Sequence, residues 1–215
     1  MGVKVLKGRN VKIEVSLTTS TAKSVTAVSK ANPGVATSAT HGLTNGTIGF
    51  FATSAGMPEI EGMAISVANQ APGTFELEKL DTTSFGTFTT ADFTPVATWA
   101  TLSTATTLQM GGGDASKVDL TTLLDTMRQE ENGLLAAQTM SIGSFVPDGV
   151  NPAIDAVEKA ALAGAYLVFR ATFPSGLRLI WRGQPSLPGM DTSVDAPVTG
   201  GFNCSVTGRA MRLPV

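Results

Sequence analysis

The strongest constraint on this chain is a strict two-residue alternation on either side of a tight turn, from Tyr166 to Arg182. Leu167, Phe169, Ala171 and Phe173 share one face, and Tyr166, Val168, Arg170 and Thr172 share the other. After Pro174-Ser175-Gly176 the order resumes, with Leu177, Leu179 and Trp181 together and Arg178, Ile180 and Arg182 opposite. A period of two is the pattern of a strand, and Pro and Gly supply the backbone angles a turn needs. The pair reads as an antiparallel hairpin with one core face and one partly polar face, as in a sandwich or barrel. A last strand repeats the pattern, with Phe202, Cys204 and Val206 inward and Asn203, Ser205 and Thr207 outward.

A short helix precedes the hairpin. Asn151 is a good N-cap, Pro152 suits the first helical position, and Gly164 suits the left-handed residue beyond the end. Ile154, Val157, Ala161 and Leu162 form an apolar stripe. Asp155 and Lys159 stand at i, i+4 in the favourable order. A helix of about eleven residues is marginal alone, so it must pack on the sheets.

Upstream, Val11, Ile13 and Val15 alternate with Lys12, Glu14 and Ser16, which predicts a half-buried strand. From Ser24 to about Pro95 the chain is rich in Thr, Ser, Ala and Gly. Short apolar runs at Val25–Val28, Ile48–Phe51, Ala64–Val67 and Thr74–Leu77 alternate there with turn signals. Asn45-Gly46 is the strongest of these signals. This stretch predicts a small all-β module. Trp99–Met110 resumes an extended pattern, and Gly111-Gly112-Gly113 is a flexible joint. Leu120–Met127 has helical spacing but fits a loop in a hairpin equally well. Leu134–Phe145 reads as one strand, closed by the turn Pro147-Asp148-Gly149.

Charged residues make up only 15% of the 215, against roughly 25% in ordinary soluble domains. No apolar run is long enough to span a membrane. The excess apolar surface therefore points to an obligate oligomer, or else to a very large core in a monomer. Residues 1–23 carry five basic side chains and one acidic, and residues 24–96 carry two basic and six acidic. A basic arm beside an acidic middle can steer subunits together, and a plain solvated surface accounts for it equally. The N-terminal residues lack the apolar run of a signal peptide. Net charge is −2, which does not suit a nucleic-acid binder.

No catalytic set emerges. His41 is the only histidine and lies in a Thr- and Gly-rich turn, which predicts a surface position. One His with the single Cys204 cannot supply the four ligands of a zinc site. Cys204 falls on an apolar face and reads as a buried, inert thiol. Gly111–Lys117 lacks the second half of a phosphate loop, and Glu130-Glu131 reads as a solvated pair of acids. No cofactor, metal or catalytic residue is expected.

The segment Asn151–Gly183, a helix, a strand ending in Phe173-Pro174-Ser175-Gly176 and a second strand, resembles the tail tube (major tail) proteins of long, flexible-tailed bacteriophages. The closing run Val198–Arg212, with Val206-Thr207-Gly208-Arg209, and the strand Arg9–Leu17 are similar to that family as well. The middle resembles a small β module recurrent in phage structural proteins, through Ala39–Gly46, Gly56–Gly62, Val67-Ala68-Asn69 and Thr74–Leu77.

The resemblance implies a mainly β fold. An antiparallel β-sandwich or barrel with one flanking short helix would span 1–23 and 97–215, with a small all-β insertion at 24–96. It implies homohexameric rings stacked into a hollow tube around a tape-measure protein. The tube would be bounded by tail terminator and tail-tip proteins and crossed transiently by DNA. Such a protein belongs to the virion tail and to the host cytoplasm during assembly. Lys7, Arg9, Arg170, Arg178 and Arg182 are then candidate subunit contacts. Ile154, Val157, Leu167, Phe169, Phe173, Leu179, Trp181 and Phe202 are the candidate core of the ring domain. On this reading Phe169→Asp prevents folding, whereas Arg182→Glu leaves a folded monomer that assembles poorly. Alternatives are another phage structural β protein (head decoration, head–tail connector or tail-tip component) or a carbohydrate-binding module. The latter needs an exposed aromatic platform, and Trp99 and Trp181 sit in strand positions that suit burial.

Overall fold

The computed structural model of the protein describes residues 8–147 and 149–214. Strand β1 (Lys12–Thr19) leads into the short strands β2 (Lys23–Val25), β3 (Ala27–Val28) and β4 (Val35–Thr37). Then come β5 (Ile48–Ala55), a single 3-10 turn at Pro58–Ile60, β6 (Ala64–Ala71), β7 (Thr74–Leu77) and the long β8 (Thr90–Thr101). β9 (Ala105–Gly111), β10 (Ala115–Asp119), β11 (Glu130–Leu135) and β12 (Thr139–Phe145) precede the helix α1 (Pro152–Ala163). β13 (Leu167–Thr172), β14 (Arg178–Pro185), β15 (Gly189–Asp191), β16 (Thr199–Val206) and β17 (Met211–Leu213) complete the chain.

Among these strands, fifteen form one sheet in the order β3-β4-β7-β6-β5-β8-β1-β13-β14-β16-β12-β9. β2 lies beside β8, β15 beside β16 and β17 beside β14. The ladders are antiparallel, and β13 pairs with β14 across the Pro-Ser-Gly turn from Leu167↔Gly183 to Thr172↔Arg178. The fold is therefore mainly β with one helix, as the alternation requires. No helix among the described residues is long and apolar enough to cross a membrane.

β8 joins the two halves. Its first part pairs with β2 and β5, and its second part with β1. Pro95, which has no N–H to donate, falls at the break between the β1 and β2 ladders. The boundary near residue 96 thus runs through a continuous strand and not through a linker.

The sheet curls back on itself, because β6 touches β14 although the two are not hydrogen-bonded neighbours. Two cores result. One holds Phe51, Phe75, Phe93, Ile65 and Leu77 from residues 24–96, together with Val168, Ile180, Met211 and Leu213. The other holds Ile13, Val15, Val157, Phe169, Leu179, Trp181, Phe202, Cys204 and Val206, with Ile154, Leu167 and Phe173 partly buried against it. Phe169 stacks on Trp181 with ring centres 5.3 Å apart and planes 6° from parallel.

Several expectations change. β1 is buried on both faces, since Glu14 and Ser16 are each 5% exposed. Leu134–Phe145 is two strands in two sheets, because the chain turns at Ala136, whose N–H donates to Asp114 O. Apolar spacing carries no mark of that break. The helix is capped as expected: Asn151 Oδ1 accepts from Ala153 N at 3.0 Å, and Gly164 sits at φ 63°. Its buried face is Ala153, Val157 and Ala160, however, and Leu162 of the expected stripe points to solvent. Small alanines let the helix lie close to β1 and β14, so side-chain size mattered less than fit.

Candidate functional site

His41, expected on the surface, is buried at 4% exposure. Its Nδ1 accepts from Leu43 N at 3.0 Å, its Nε2 donates to Ala71 O at 2.9 Å, and its ring lies 5.4 Å from Phe75. It locks one loop of the module. Cys204 is fully buried, and burial pushes its thiol up to about 12, which makes it a poor nucleophile. Among the described residues no three His, Cys, Asp or Glu side chains are placed to hold a metal ion.

The candidate arginines sit at the joint. The second face of the β13–β14 hairpin, whose arginines were candidate subunit contacts, packs against residues 24–96 and β17 of the same chain. Arg178 Nη2 donates to Glu78 Oε1 at 2.8 Å and so ties β14 to the residue after β7. Arg182 lies between two rings, 4.3 Å from Phe50 and 4.6 Å from Tyr166, and burial lowers its pKa. Its Nε has no hydrogen-bond partner among the described residues. Arg170 lies 4.4 Å over Trp99, and its Nε donates to Glu14 Oε2 at 2.6 Å. The module also presses close at Gly62 (φ 69°), where a Cβ would stand 2.4 Å from Thr207. A side chain there meets both a strained backbone and a clash. Arg9 is exposed, and Lys7 lies outside the described residues.

Glu14 is a buried charge on β1, opposite Arg170 of β13. Burial acts to raise its pKa, but hydrogen bonds and charge from Arg170 and Lys12 more than reverse this and hold it below the ordinary value of 4.5. Lys12 Nζ stands 2.8 Å away. A depressed carboxylate contributes stability that is present above pH 4.5 and is lost as pH falls through the folded pKa. Glu14→Gln is expected to cost about 2 kcal/mol at pH 7. That is below the 3–5 kcal/mol of a fully buried pair because Arg170 keeps contact with solvent. Urea melts at pH 7 and pH 3 check this: the gap between wild type and variant should narrow at pH 3.

The other feature is the β10–β11 hairpin, a two-stranded sheet of its own between β9 and β12. The chain enters it through Gly112 and Gly113, at φ 78° and 86°. Its 120–129 tip is ordered by polar groups. Asp119 Oδ1 accepts from Thr121 Oγ1 at 2.6 Å and Thr121 N at 2.9 Å, and Arg128 donates to Asp119 Oδ2 at 3.1 Å. These bonds, led by the Thr121 hydroxyl, hold Asp119 below the usual carboxylate value. The apolar residues of the tip are in water instead: Leu123 and Leu124 are 106% and 94% exposed, and Met127, Leu134 and Leu135 are exposed as well. Leu120–Met127 is thus a loop, the second of the two readings its spacing allowed. A two-stranded hairpin is marginal alone, and this one carries its apolar side chains outward. Glu130 and Glu131 lie exposed on its return strand.

A second apolar surface lies at the far end of the main sheet. Phe145, Val150, Leu187, Met190 and Val194 are exposed there. Of these, Leu187 and Met190 line a groove of about 400 Å³ between the start of α1 and the β15–β16 edge, together with Val146, Ile154, Glu158 and Phe202 among others. Sequence reasoning missed both surfaces, since an exposed leucine and a core leucine share one alphabet.

No protein with a curated description matches the chain. The family model described as phage tail tube protein, TTP, matches residues 55–213, from the second half of the 24–96 module through β17. With a mainly β fold, one helix and this match over most of its length, the chain belongs to the phage tail tube protein family.

Proposed function

We propose that copies of this chain form six-membered rings that stack into the hollow tail tube, and that the β10–β11 hairpin is the arm joining one copy to another. The observation that carries this reading is the hairpin itself. It is ordered internally by Asp119, Thr121 and Arg128, yet offers Leu123, Leu124, Met127, Leu134 and Leu135 to solvent. Burying one such side chain is worth about 1.5–3 kcal/mol, and several together drive association. A tape-measure protein fills the growing tube, terminator and tail-tip proteins close its ends, and DNA passes through it on delivery. Assembly takes place in the host cytoplasm and ends in the virion. Residues 24–96 are an insertion in the ring domain of 1–23 and 97–215, clamped by Arg178, Arg182 and Gly62. Arg170, Arg178 and Arg182 would reach a neighbour only through the parts of their side chains that remain exposed.

The test is a Leu123→Asp/Leu124→Asp variant. Its thermal midpoint should match wild type, within about 0.5 kcal/mol, because both side chains are already in water. It should stay monomeric where the wild-type chain gives rings or tubes by electron microscopy. Tubes from the variant would remove the hairpin from this reading. A wild-type chain that stays monomeric even with its tail partners supplied would overturn the tube assignment.

A further inference from the structure

The chain contains two Asn-Gly pairs, Asn45-Gly46 and Asn132-Gly133. In such a pair no side chain on the glycine shields its backbone nitrogen from the asparagine amide before it. The structure treats the two pairs in opposite ways. Asn45-Gly46 is tied at both reacting ends to β6 of the main sheet. Asn45 Oδ1 accepts from Gln70 N at 2.9 Å, and Gly46 N donates to Val67 O at 2.7 Å. Asn132-Gly133 lies on β11 in the separate two-stranded sheet, and Asn132 is exposed. The ladder there pairs Lys117 with Asn132 and Ala115 with Leu135, so Gly133 and Leu134 together face Ser116. A bulge of this kind disrupts the ladder, and a two-stranded hairpin is marginal to begin with. Across the strand, Lys117 Nζ donates to Asn132 Oδ1 at 2.6 Å. Its positive charge draws electrons from the amide carbon and steadies the charge that the oxygen gains when that carbon is attacked.

We propose that Asn132 is a site of spontaneous deamidation and that Lys117 is the group that activates it. Gly133 N gives up its proton to the solvent and bonds to Asn132 Cγ, which closes a five-membered succinimide ring. The bond from Cγ to the side-chain nitrogen breaks, and that nitrogen takes a proton from the solvent and leaves as ammonia. Water then adds to one of the two ring carbonyls and opens the ring to aspartate or to isoaspartate. No oxidant or reductant is needed. The aspartate adds a third acid beside Glu130 and Glu131 and gives Lys117 a full ion-pair partner. The isoaspartate places an extra methylene in the main chain and carries Leu134 and Leu135 out of register with β10. The site stands independently of the ring reading.

The test holds the purified full chain at pH 8.5 and samples it over days. Peptide masses and labelling by an isoaspartyl methyltransferase are read at both Asn-Gly pairs. Residue 132 should convert to the acid and accumulate isoaspartate while Asn45 stays an amide. Lys117→Gln should slow the conversion about threefold, the scale of an exposed charge contact. Lys117→Arg should stay near the wild-type rate, because it keeps a charged donor. The direction separates two roles for the lysine: as a mere tie between strands, its loss would loosen the bulge and speed the reaction. Lys117 is exposed and outside the fifteen-stranded sheet, so both variants should keep the wild-type thermal midpoint. Conversion of Asn45 as fast as Asn132, or an Asn132 that stays intact, would overturn the site. A Lys117→Gln variant that converts as fast as wild type or faster would overturn the lysine as its activating group.

Discussion

Phe169→Asp is expected to leave no folded protein. Phe169 is fully buried, stacked on Trp181 at 5.3 Å and tilted against Phe202 at 6.1 Å. A carboxylate there has no partner in the core around it, and burying an unpaired charge costs several kcal/mol. The lost aromatic adds about 3–5 kcal/mol, the usual cost of Phe→Ala in a core. The sum approaches or exceeds the 5–15 kcal/mol by which domains are stable. Circular dichroism after expression decides this. Phe169→Ala should still fold, with its urea midpoint lowered by an amount matching about 3–5 kcal/mol. A soluble, cooperatively melting Phe169→Asp variant would contradict the placement of this residue.

Ile180→Asp should do comparable damage, and here the structure departs from the alternation read in the sequence. Ile180 shares its face with Arg178 and Arg182, the side expected to be polar. It is nevertheless fully buried in the core that the 24–96 module builds with Val168, Met211 and Leu213. Ile180→Ala is expected to cost about 2–5 kcal/mol, and the aspartate more. The same argument revises Arg182→Glu. That change puts a carboxylate between the rings of Phe50 and Tyr166 in place of a cation, so it should lower stability as well as assembly. Differential scanning calorimetry separates the cases. If Ile180→Asp melts like wild type, the module does not pack on this hairpin.

The hairpin, the capped helix and the inward run Phe202-Cys204-Val206 were readable because each rests on a local rule. Two-residue periodicity, a Pro-Ser-Gly turn and an Asn cap act within a few residues of one another. Features set by distant partners were not readable. His41 is held by Ala71 and Phe75, some thirty residues away, and nothing beside it in the chain predicts its burial. β4 was missed because Val35–Thr37 is only three residues long and draws its ladder from β3 and β7. The break at Ala136 was missed because the change of sheet depends on a crossing at Gly112, whose missing Cβ leaves room for Ala137 O.

By itself, then, the sequence determined a mainly β chain with one capped helix, an antiparallel hairpin at its centre, no visible catalytic set and a resemblance to tail tube proteins. Those follow from periodicity, turn chemistry and residue type, which are local or compositional. Only the tertiary structure decided that the central hairpin is buried on both faces, that Glu14 is a buried acid answered by Arg170 and Lys12, and that the leucines of 120–135 stand in water. The physical reason is the same in each case. Alternation tells which residues share a face, but what covers that face, or leaves it in water, is set by strands as much as a hundred residues or more apart.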